Sequence, residues 1–216
     1  MSGKQATWKQ DFFLQVEPIL MKDPLAWTLG AVEEDAAIEY RFEDCVKVAG
    51  HACVSVASAF MMTKHALKAL YPDSVPVRGG VEVRFAGDRT GGANGPIGQV
   101  IGFITGAATE TGFHGLAGKW GRDNLFIYDE ELESAPGFII ARFRRLDTGE
   151  TVEVRANPSV IPMSDEEMEG SAHMPKVIQG IANEEEKEGF FKFWQGRNKT
   201  LLLQDPEGAI VVERVS

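Results

Sequence analysis

Cysteine is scarce in this chain. Only Cys45 and Cys53 occur among its 216 residues, which is too few for a disulfide framework. The opening stretch, MSGKQATWKQ, lacks the apolar segment of a secretory signal, and no apolar run approaches the length of a membrane span. These absences exclude a disulfide-stapled secreted domain and an integral membrane protein. They predict a cytoplasmic protein with reduced thiols.

Positive charge is also in short supply. The chain has 22 basic against 32 acidic residues, a formal net charge of -10. Nucleic acids and anionic membranes are bound through basic faces that contact phosphates. The charge balance therefore predicts neither a nucleic-acid partner nor a membrane partner.

Several motifs of known mechanism are missing. There is no G-x-G-x-x-G fingerprint, and Gly118–Lys119 is followed by Trp120, so no Walker motif exists. The sequence also lacks G-x-S-x-G, H-E-x-x-H and C-x-x-C. A dinucleotide fold, a P-loop, a serine hydrolase, a zincin and a zinc ribbon all lack support.

Hydrophobic periodicity predicts the fold class. Ala52–Leu70 is a long run of helix-forming, mostly small and apolar residues that ends before a proline. Ala37–Phe42 and Gly80–Phe85 alternate apolar with polar residues, as half-buried strands do. Phe138–Leu146 and Thr151–Arg155 flank the turn sequence Asp-Thr-Gly. We predict an α+β fold with a mainly antiparallel sheet packed with helices, including one long buried helix after the His-x-Cys loop.

The remaining segments are predicted with weaker patterns. Trp8–Leu20 has near-helical spacing, Cys45–Gly50 reads as a connection, and Val100–Ala108 reads as a second buried helix. Leu201–Leu203 and Ala209–Val212 are predicted to form a last hairpin across Asp-Pro-Glu-Gly. We divide the chain into a core domain, 1–157, and a C-terminal helical and hairpin extension, 158–216, packed on that core.

The strongest chemical signal is His51-x-Cys53, directly after Gly50. Two residues apart on a helix means about 200° of rotation, so both side chains could not then face one metal ion. The pair can bind a metal only if His51 stays in the loop and Cys53 opens the helix, where the positive helix end favours a thiolate. Imidazole with thiolate suits zinc or another late divalent metal. The alternative is that His51 caps the helix and Cys53 is a small core residue.

Other side chains are candidates to complete such a site. We predict a third metal ligand among His114, Asp88 and Cys45, although a cysteine such as Cys45 is more often a packed hydrophobic residue. If the protein is an enzyme, a metal-activated water or the Cys53 thiolate would carry the chemistry.

Two basic residues are candidates for a different role. Lys119 and Arg122 follow a glycine-rich loop and could neutralise an anionic ligand or cofactor. The alternative is that both belong to a solvated face.

Five segments together resemble the core domain of the FmdE-like family, which takes its name from a subunit of formylmethanofuran dehydrogenase. Members carry a His-Gly-His-x-Cys-Pro-Gly loop that opens a long helix, then a glycine- and threonine-rich stretch, then Gly-Lys followed shortly by Asn-Leu before two strands. The segments that carry the resemblance are GHACVSVASAF, LYPDSVPVRGGVEV, ITGAATETGFHGLAGKWGRDNL, LDTGETVEVRANPSV and FFKFWQGR.

The resemblance implies an α+β core, a homodimer, and a metal site built on His51 and Cys53. Ala49 stands where many members have a first histidine, and Val54 stands where they have proline. Thr105–Gly106 lacks the cysteine often found there, and without a later cysteine the chain has no C-terminal zinc finger. The chain therefore resembles a divergent, core-only member.

The resemblance implies a metal-binding protein, either a metal-dependent enzyme or an accessory subunit of one-carbon metabolism. Two alternatives remain open. One is a non-catalytic dimeric accessory or interaction protein. The other is a binder of a small-molecule cofactor, with the loops 87–98 and 111–122 over a pocket.

Overall fold

The computed structural model describes residues 7–215 and has the predicted α+β architecture, with short 3-10 helices at Asp11–Gln15 and Pro158–Val160. The elements in chain order are β1 (Ile19–Lys22), α1 (Pro24–Thr28), β2 (Ala37–Tyr40), α2 (Phe42–Ala49), α3 (Val54–Leu70), β3 (Val81–Ala86), α4 (Asn94–Thr105), β4 (Phe126–Asp129), β5 (Ile139–Arg145), β6 (Thr151–Ala156), α5 (Asp165–Ser171), α6 (Met174–Ile178), α7 (Glu184–Gln204) and β7 (Ile210–Val215).

The main sheet has five strands in the order β4-β3-β5-β6-β7. The β3–β4 pair is parallel and the other three pairs are antiparallel. A second, two-stranded antiparallel sheet joins β1 to β2. The prediction of a mainly antiparallel sheet packed with helices is confirmed.

Helix α3 is the centre of the core. It packs against β6, β7, α4 and α7. Residues on several of its faces, such as Val56, Ala57 and Met62, are fully buried. The buried hydroxyl of Thr63 donates to the carbonyl of Ala59 at 2.7 Å, so this polar group is satisfied within the helix. The predicted long buried helix is confirmed.

The strands carry the predicted alternation. Val81, Val83 and Phe85 of β3 face the helices, and Glu82 and Arg84 face away. The β5–β6 hairpin forms around the predicted Asp-Thr-Gly turn. One face of the sheet is therefore core, and the other is polar.

Two predictions about the N-terminal half are wrong, and a third, the second buried helix, is confirmed with shifted ends. Trp8–Leu20 is a short 3-10 turn followed by β1, because Pro18 has no amide hydrogen and favours extended backbone around it. Cys45–Gly50 is not a connection but the end of α2, which is closed by Gly50 in the left-handed conformation. Helix α4 starts inside the glycine-rich loop and ends at Thr105, earlier at both ends than predicted.

The predicted last hairpin is also wrong. Leu201–Leu203 belongs to the 21-residue helix α7, where Leu201 and Leu202 pack into the core. The helix stops at Asp205, which adopts a left-handed conformation. Strand β7 pairs with β6, so the C-terminal segment supplies an edge strand of the main sheet.

Candidate functional site

The His-x-Cys segment is the junction between α2 and α3. Gly50 adopts φ 76°, a conformation that favours glycine, and this turns the chain out of α2. His51 lies outside both helices, with its Nδ1 3.0 Å from the carbonyl oxygen of Ala49. Because a carbonyl oxygen only accepts, Nδ1 carries the proton in this contact. The lone pair of the neutral ring is then on Nε2, the arrangement found in metal-ligating histidines.

Cys53 is the N-cap of α3, and its backbone is extended at φ −142° and ψ 169°. The exposure of side chains alternates along the junction: His51 is exposed, Ala52 is buried, and Cys53 is half-buried. The side chains of both His51 and Cys53 are therefore open to solvent, whereas that of Ala52 between them is not. The helix begins at Val54, after the pair, as metal binding by both residues requires.

Helix α7 forms one wall of the junction. The indole Nε1 of Trp194 donates to the carbonyl of Ala52 at 2.8 Å. Beside this bond lies an apolar cleft of about 40 Å³ lined by Val54, Phe193, Trp194 and Arg197. That volume accommodates about one water molecule. A substrate of ordinary size would have to approach from the open side of the junction.

Cys45 lies within α2 and is fully buried. Burial raises the pKa of its thiol to about 12. The group therefore stays protonated at neutral pH, whereas metal binding needs a thiolate. This placement favours the packed-residue interpretation of Cys45.

The side chains of His114 and Asp88 each form hydrogen bonds within their own loop. The His114 side chain is 77% exposed, and its Nδ1 lies 3.1 Å from Asp123 Oδ2. This hydrogen bond lowers the pKa of Asp123. Asp88 accepts from the amide of Thr90 at 2.6 Å and from its hydroxyl at 2.7 Å, and these bonds lower the pKa of Asp88.

Within residues 7–215, no group of three or more His, Cys, Asp and Glu side chains is arranged to hold a metal ion. The structure therefore does not bring His114, Asp88 or Cys45 to the His51–Cys53 pair. The described part of one chain offers two adjacent donors at the junction. Any third or fourth metal ligand has to come from outside these described side chains, for example from solvent, from a bound molecule or from another chain.

Arg122 is engaged in an ion pair inside the protein. It is 8% exposed, and its Nη2 donates to Asp23 Oδ1 at 2.6 Å. Asp23 is the N-cap of α1 and also lies 3.3 Å from Arg78. Burial raises the pKa of Asp23, but the hydrogen bonds and the two guanidiniums outweigh burial, so its pKa is lowered overall. Lys119 stays exposed, 5.9 Å from the Trp120 ring centroid.

The glycine-threonine stretch has a packing role that sequence reasoning missed. Gly106 caps α4 at φ 77°, and a Cβ there would lie 2.9 Å from Arg78 Cγ and 3.1 Å from Arg122 Nη1. Glycine therefore allows the side chains of both arginines to pack against the backbone at this position. The available signal was the glycine itself: it lies inside the predicted helix Val100–Ala108, and a glycine often ends a helix.

A second histidine contact was also missed. His65 Nε2 lies 2.8 Å from Asp205 Oδ2, in a cleft of about 320 Å³ between α3 and the end of α7. Lys64 pairs with Glu17 across the same cleft at 2.6 Å. These contacts between separate elements are those of a structural histidine, not of a metal ligand.

A much larger cleft lies away from the junction. It measures about 530 Å³ and lies between the N-terminal segment, α5 and α7. Two of its three lysines are paired, Lys9 with Glu188 and Lys192 with Glu166. Neither His51 nor Cys53 lines it. The large cleft and the candidate metal donors are therefore in different places. A metal site needs donor atoms and little space, so the small volume at the junction does not count against it.

No helix among residues 7–215 combines the length and the apolarity that crossing a membrane requires. Comparison with protein-family models, with curated proteins and with solved structures gives no match to this chain. The resemblance to the FmdE-like family remains a prediction from its motifs.

Proposed function

We propose that this protein binds a divalent transition metal, zinc in the first place, through His51 and Cys53. One observation carries the proposal: both side chains are accessible to solvent in the junction between the two helices, directly before α3 begins at Val54. The Ala49 carbonyl supports it, because it holds the Nδ1 proton of His51 and leaves Nε2 as the donor. The donor set, one imidazole and one thiolate, suits zinc.

The coordination is open on the side away from the protein. Zinc takes about four ligands, and the described part of one chain supplies two. Solvent, a small-molecule ligand or a second copy of the chain fills the remaining positions. The homodimer implied by the resemblance is part of this proposal, and light scattering on the purified protein tests it.

The chemistry of such a site follows from the donors. A bound zinc ion supplies Lewis acidity and lowers the pKa of a coordinated water. In the chain itself, Ala49 fixes the tautomer of His51, and Trp194 closes the inner side of the junction. Cys53 is the residue that we propose to act as thiolate, either as a ligand or as a nucleophile.

Metal analysis tests the proposal. Wild-type protein loaded with zinc and desalted should retain metal, and His51→Ala and Cys53→Ser should lose it. The loss should exceed the roughly 10- to 100-fold drop in affinity that follows loss of an outer-shell partner. His114→Ala is the matched control, because it removes an exposed imidazole away from the pair. Equal metal content in all four proteins would refute the proposal.

A second candidate function is protein–protein interaction through the helices α5–α7. Ile178 and Ile181 are 70% and 68% exposed, and Met168 and Met174 are also exposed. Exposed apolar clusters, methionine-rich ones in particular, are typical of binding surfaces. Residues 163–188 contain eight acidic and two basic side chains. This charge favours a basic amphipathic segment of a partner protein over a second copy of this acidic chain.

A peptide-binding measurement tests the second candidate. A synthetic amphipathic Lys/Leu helix should bind the wild-type protein, with an affinity that falls as salt is added. Ile178→Ser combined with Ile181→Ser should weaken binding about tenfold or more. Leu29→Ser, at an exposed apolar residue outside this surface, should leave binding unchanged. Equal binding by all three proteins would exclude this surface.

A further inference from the structure

The outer face of the main sheet carries a row of arginines. Val83 and Phe143 face the helices and are buried, so their neighbours along the strands face the other way. Arg84 of β3 and Arg142 and Arg144 of β5 therefore share the outer face. Each of these three side chains is 39–47% exposed.

These arginines line a groove. The groove has a volume of about 350 Å³, within the usual range for small-molecule sites. Among residues 7–215, three guanidiniums and one carboxylate line it, in a chain whose net charge is -10. The lining consists of Glu82, Arg84, Arg142, Arg144, Thr151 and Val215.

Carboxylates and guanidiniums lie at different depths on this face. The side chains of Glu82 and Glu153 are only 13% and 7% exposed. Glu82 lies under Arg84 and Arg144, and Glu153 lies under Arg142. The acidic groups therefore hold the arginines from beneath, and the outermost groups are hydrogen-bond donors.

Many of these donors are not used by the described part of the protein. Arg142 gives only Nε to Glu153, at 2.8 Å. Arg144 gives Nε and Nη2 to Glu82. Within residues 7–215, Nη1 and Nη2 of Arg142 and Nη1 of Arg144 have no hydrogen-bonded protein acceptor. A guanidinium offers five N–H donors in a planar fork, so most of the capacity of Arg142 is available.

Strand register places like charges side by side. Arg84 lies directly opposite Arg142 in the β3–β5 ladder. Like charges in that position destabilise a sheet, and here Glu82, Glu153 and Asp129 offset the repulsion. An anion above the arginines would offset it further and would accept from the unused donors.

We propose that this groove binds a small polyanion, phosphate-bearing or multiply carboxylated, with Arg142 and Arg144 as the principal donors. Arginine binds both oxyanion types through paired N–H groups. The site is separate from the His51–Cys53 junction, because the groove lies on the face of the sheet opposite α3. Its success or failure is therefore independent of the metal proposal.

The chain offers variants that keep the supporting ion pairs. In Arg142→Gln, Glu153 is still paired with Arg155 at 2.6 Å. In Arg144→Gln, Glu82 is still paired with Arg84 at 3.2 Å. Each variant should fold, as thermal unfolding would verify, and each should weaken anion binding about tenfold. The double variant should show no measurable binding.

Two further variants sharpen the test. Arg155→Gln removes a guanidinium from the same face that bonds to Glu153 but does not line the groove. Its affinity for anions should equal that of the wild type. Glu82→Gln removes the one carboxylate that lines the groove in the described part of the chain, and its affinity should rise severalfold.

Isothermal titration at low salt with pyrophosphate and with citrate distinguishes the two ligand types. Pyrophosphate binding with this variant pattern supports a phosphate-bearing ligand, and citrate binding with the same pattern supports a carboxylated one. The proposal is overturned if neither probe binds the wild type with a Kd below about 1 mM. Equal weakening by Arg155→Gln and Arg142→Gln would also overturn it.

Discussion

Replacing Arg122 tests whether this arginine stabilises the fold or binds a ligand. Arg122→Met keeps much of the side-chain length but removes the guanidinium that donates to Asp23 at 2.6 Å. Asp23 would keep the amides of Leu25 and Ala26 and the guanidinium of Arg78 at 3.3 Å. The carboxylate would remain buried with weaker compensation.

The expected loss of stability follows from that geometry. Removing one partner of a buried ion pair costs roughly 3–5 kcal/mol. Because Arg78 remains, we expect the lower end, about 3 kcal/mol. For a chain of this size, that corresponds to a fall in Tm of roughly 6–12 °C.

Thermal and urea unfolding followed by circular dichroism would measure the loss. Lys119→Met is the matched control, since Lys119 is exposed, and its stability should stay within about 0.5 kcal/mol of the wild type. An Arg122→Met protein as stable as this control would refute the reasoning and would return Arg122 to the ligand-binding candidates.

The pH dependence of the free energy of unfolding gives an independent test. The pKa of Asp23 is lowered in the folded protein, so the ionised carboxylate stabilises the fold above its unfolded pKa of about 3.9. That contribution is lost as the pH falls through the lower, folded pKa. Asp23→Asn should therefore be less stable than the wild type at neutral pH, and the difference should shrink in strong acid. A difference that does not change with pH would contradict the assignment.

Three further predictions concern the junction and its surroundings. Cys53, half-buried, should react with iodoacetamide in the native protein, whereas Cys45, whose buried thiol has a pKa of about 12, should react only after unfolding; equal labelling of both residues, read by mass spectrometry, would contradict this. Gly106→Ala should destabilise the protein by about 1–3 kcal/mol, because φ is 77° and the new Cβ meets two arginine side chains; Gly118→Ala, also left-handed but in open space, should cost less in the same unfolding experiment. Trp194→Phe should lower the free energy of unfolding by about 1 kcal/mol, because the hydrogen bond to the Ala52 carbonyl is lost. The same variant should make Cys53 react faster in alkylation kinetics.

Local patterns were sufficient where one force dominates. The run after Cys53 is buried on several faces and ends before Pro72, so composition alone predicted α3. The β3 alternation and the Asp-Thr-Gly turn predicted the strands around them. In these segments, periodicity, turn chemistry and burial agree.

Other segments depended on distant contacts. Leu201–Leu203 precedes the turn sequence Asp-Pro-Glu-Gly, which favoured a hairpin, but it continues α7 because Leu201 and Leu202 bury against the core. The sequence singled out the His51–Cys53 pair as candidate ligands but left open where the helix starts, which the structure places at Val54. It did not predict that Trp194, far along the chain, would hold the Ala52 carbonyl, nor that Arg122 would pair with Asp23. These contacts are set by tertiary packing, which one sequence does not display.

The central claim is that His51 and Cys53 bind one metal ion. Cobalt(II) titration tests it most directly, since a thiolate ligand gives cobalt a charge-transfer absorption that nitrogen and oxygen ligands do not. The account predicts this band in the wild type and in Cys45→Ala, its absence in Cys53→Ser, and a weakened, shifted spectrum in His51→Ala. A wild-type titration without the band, or a band that persists in Cys53→Ser, would contradict it.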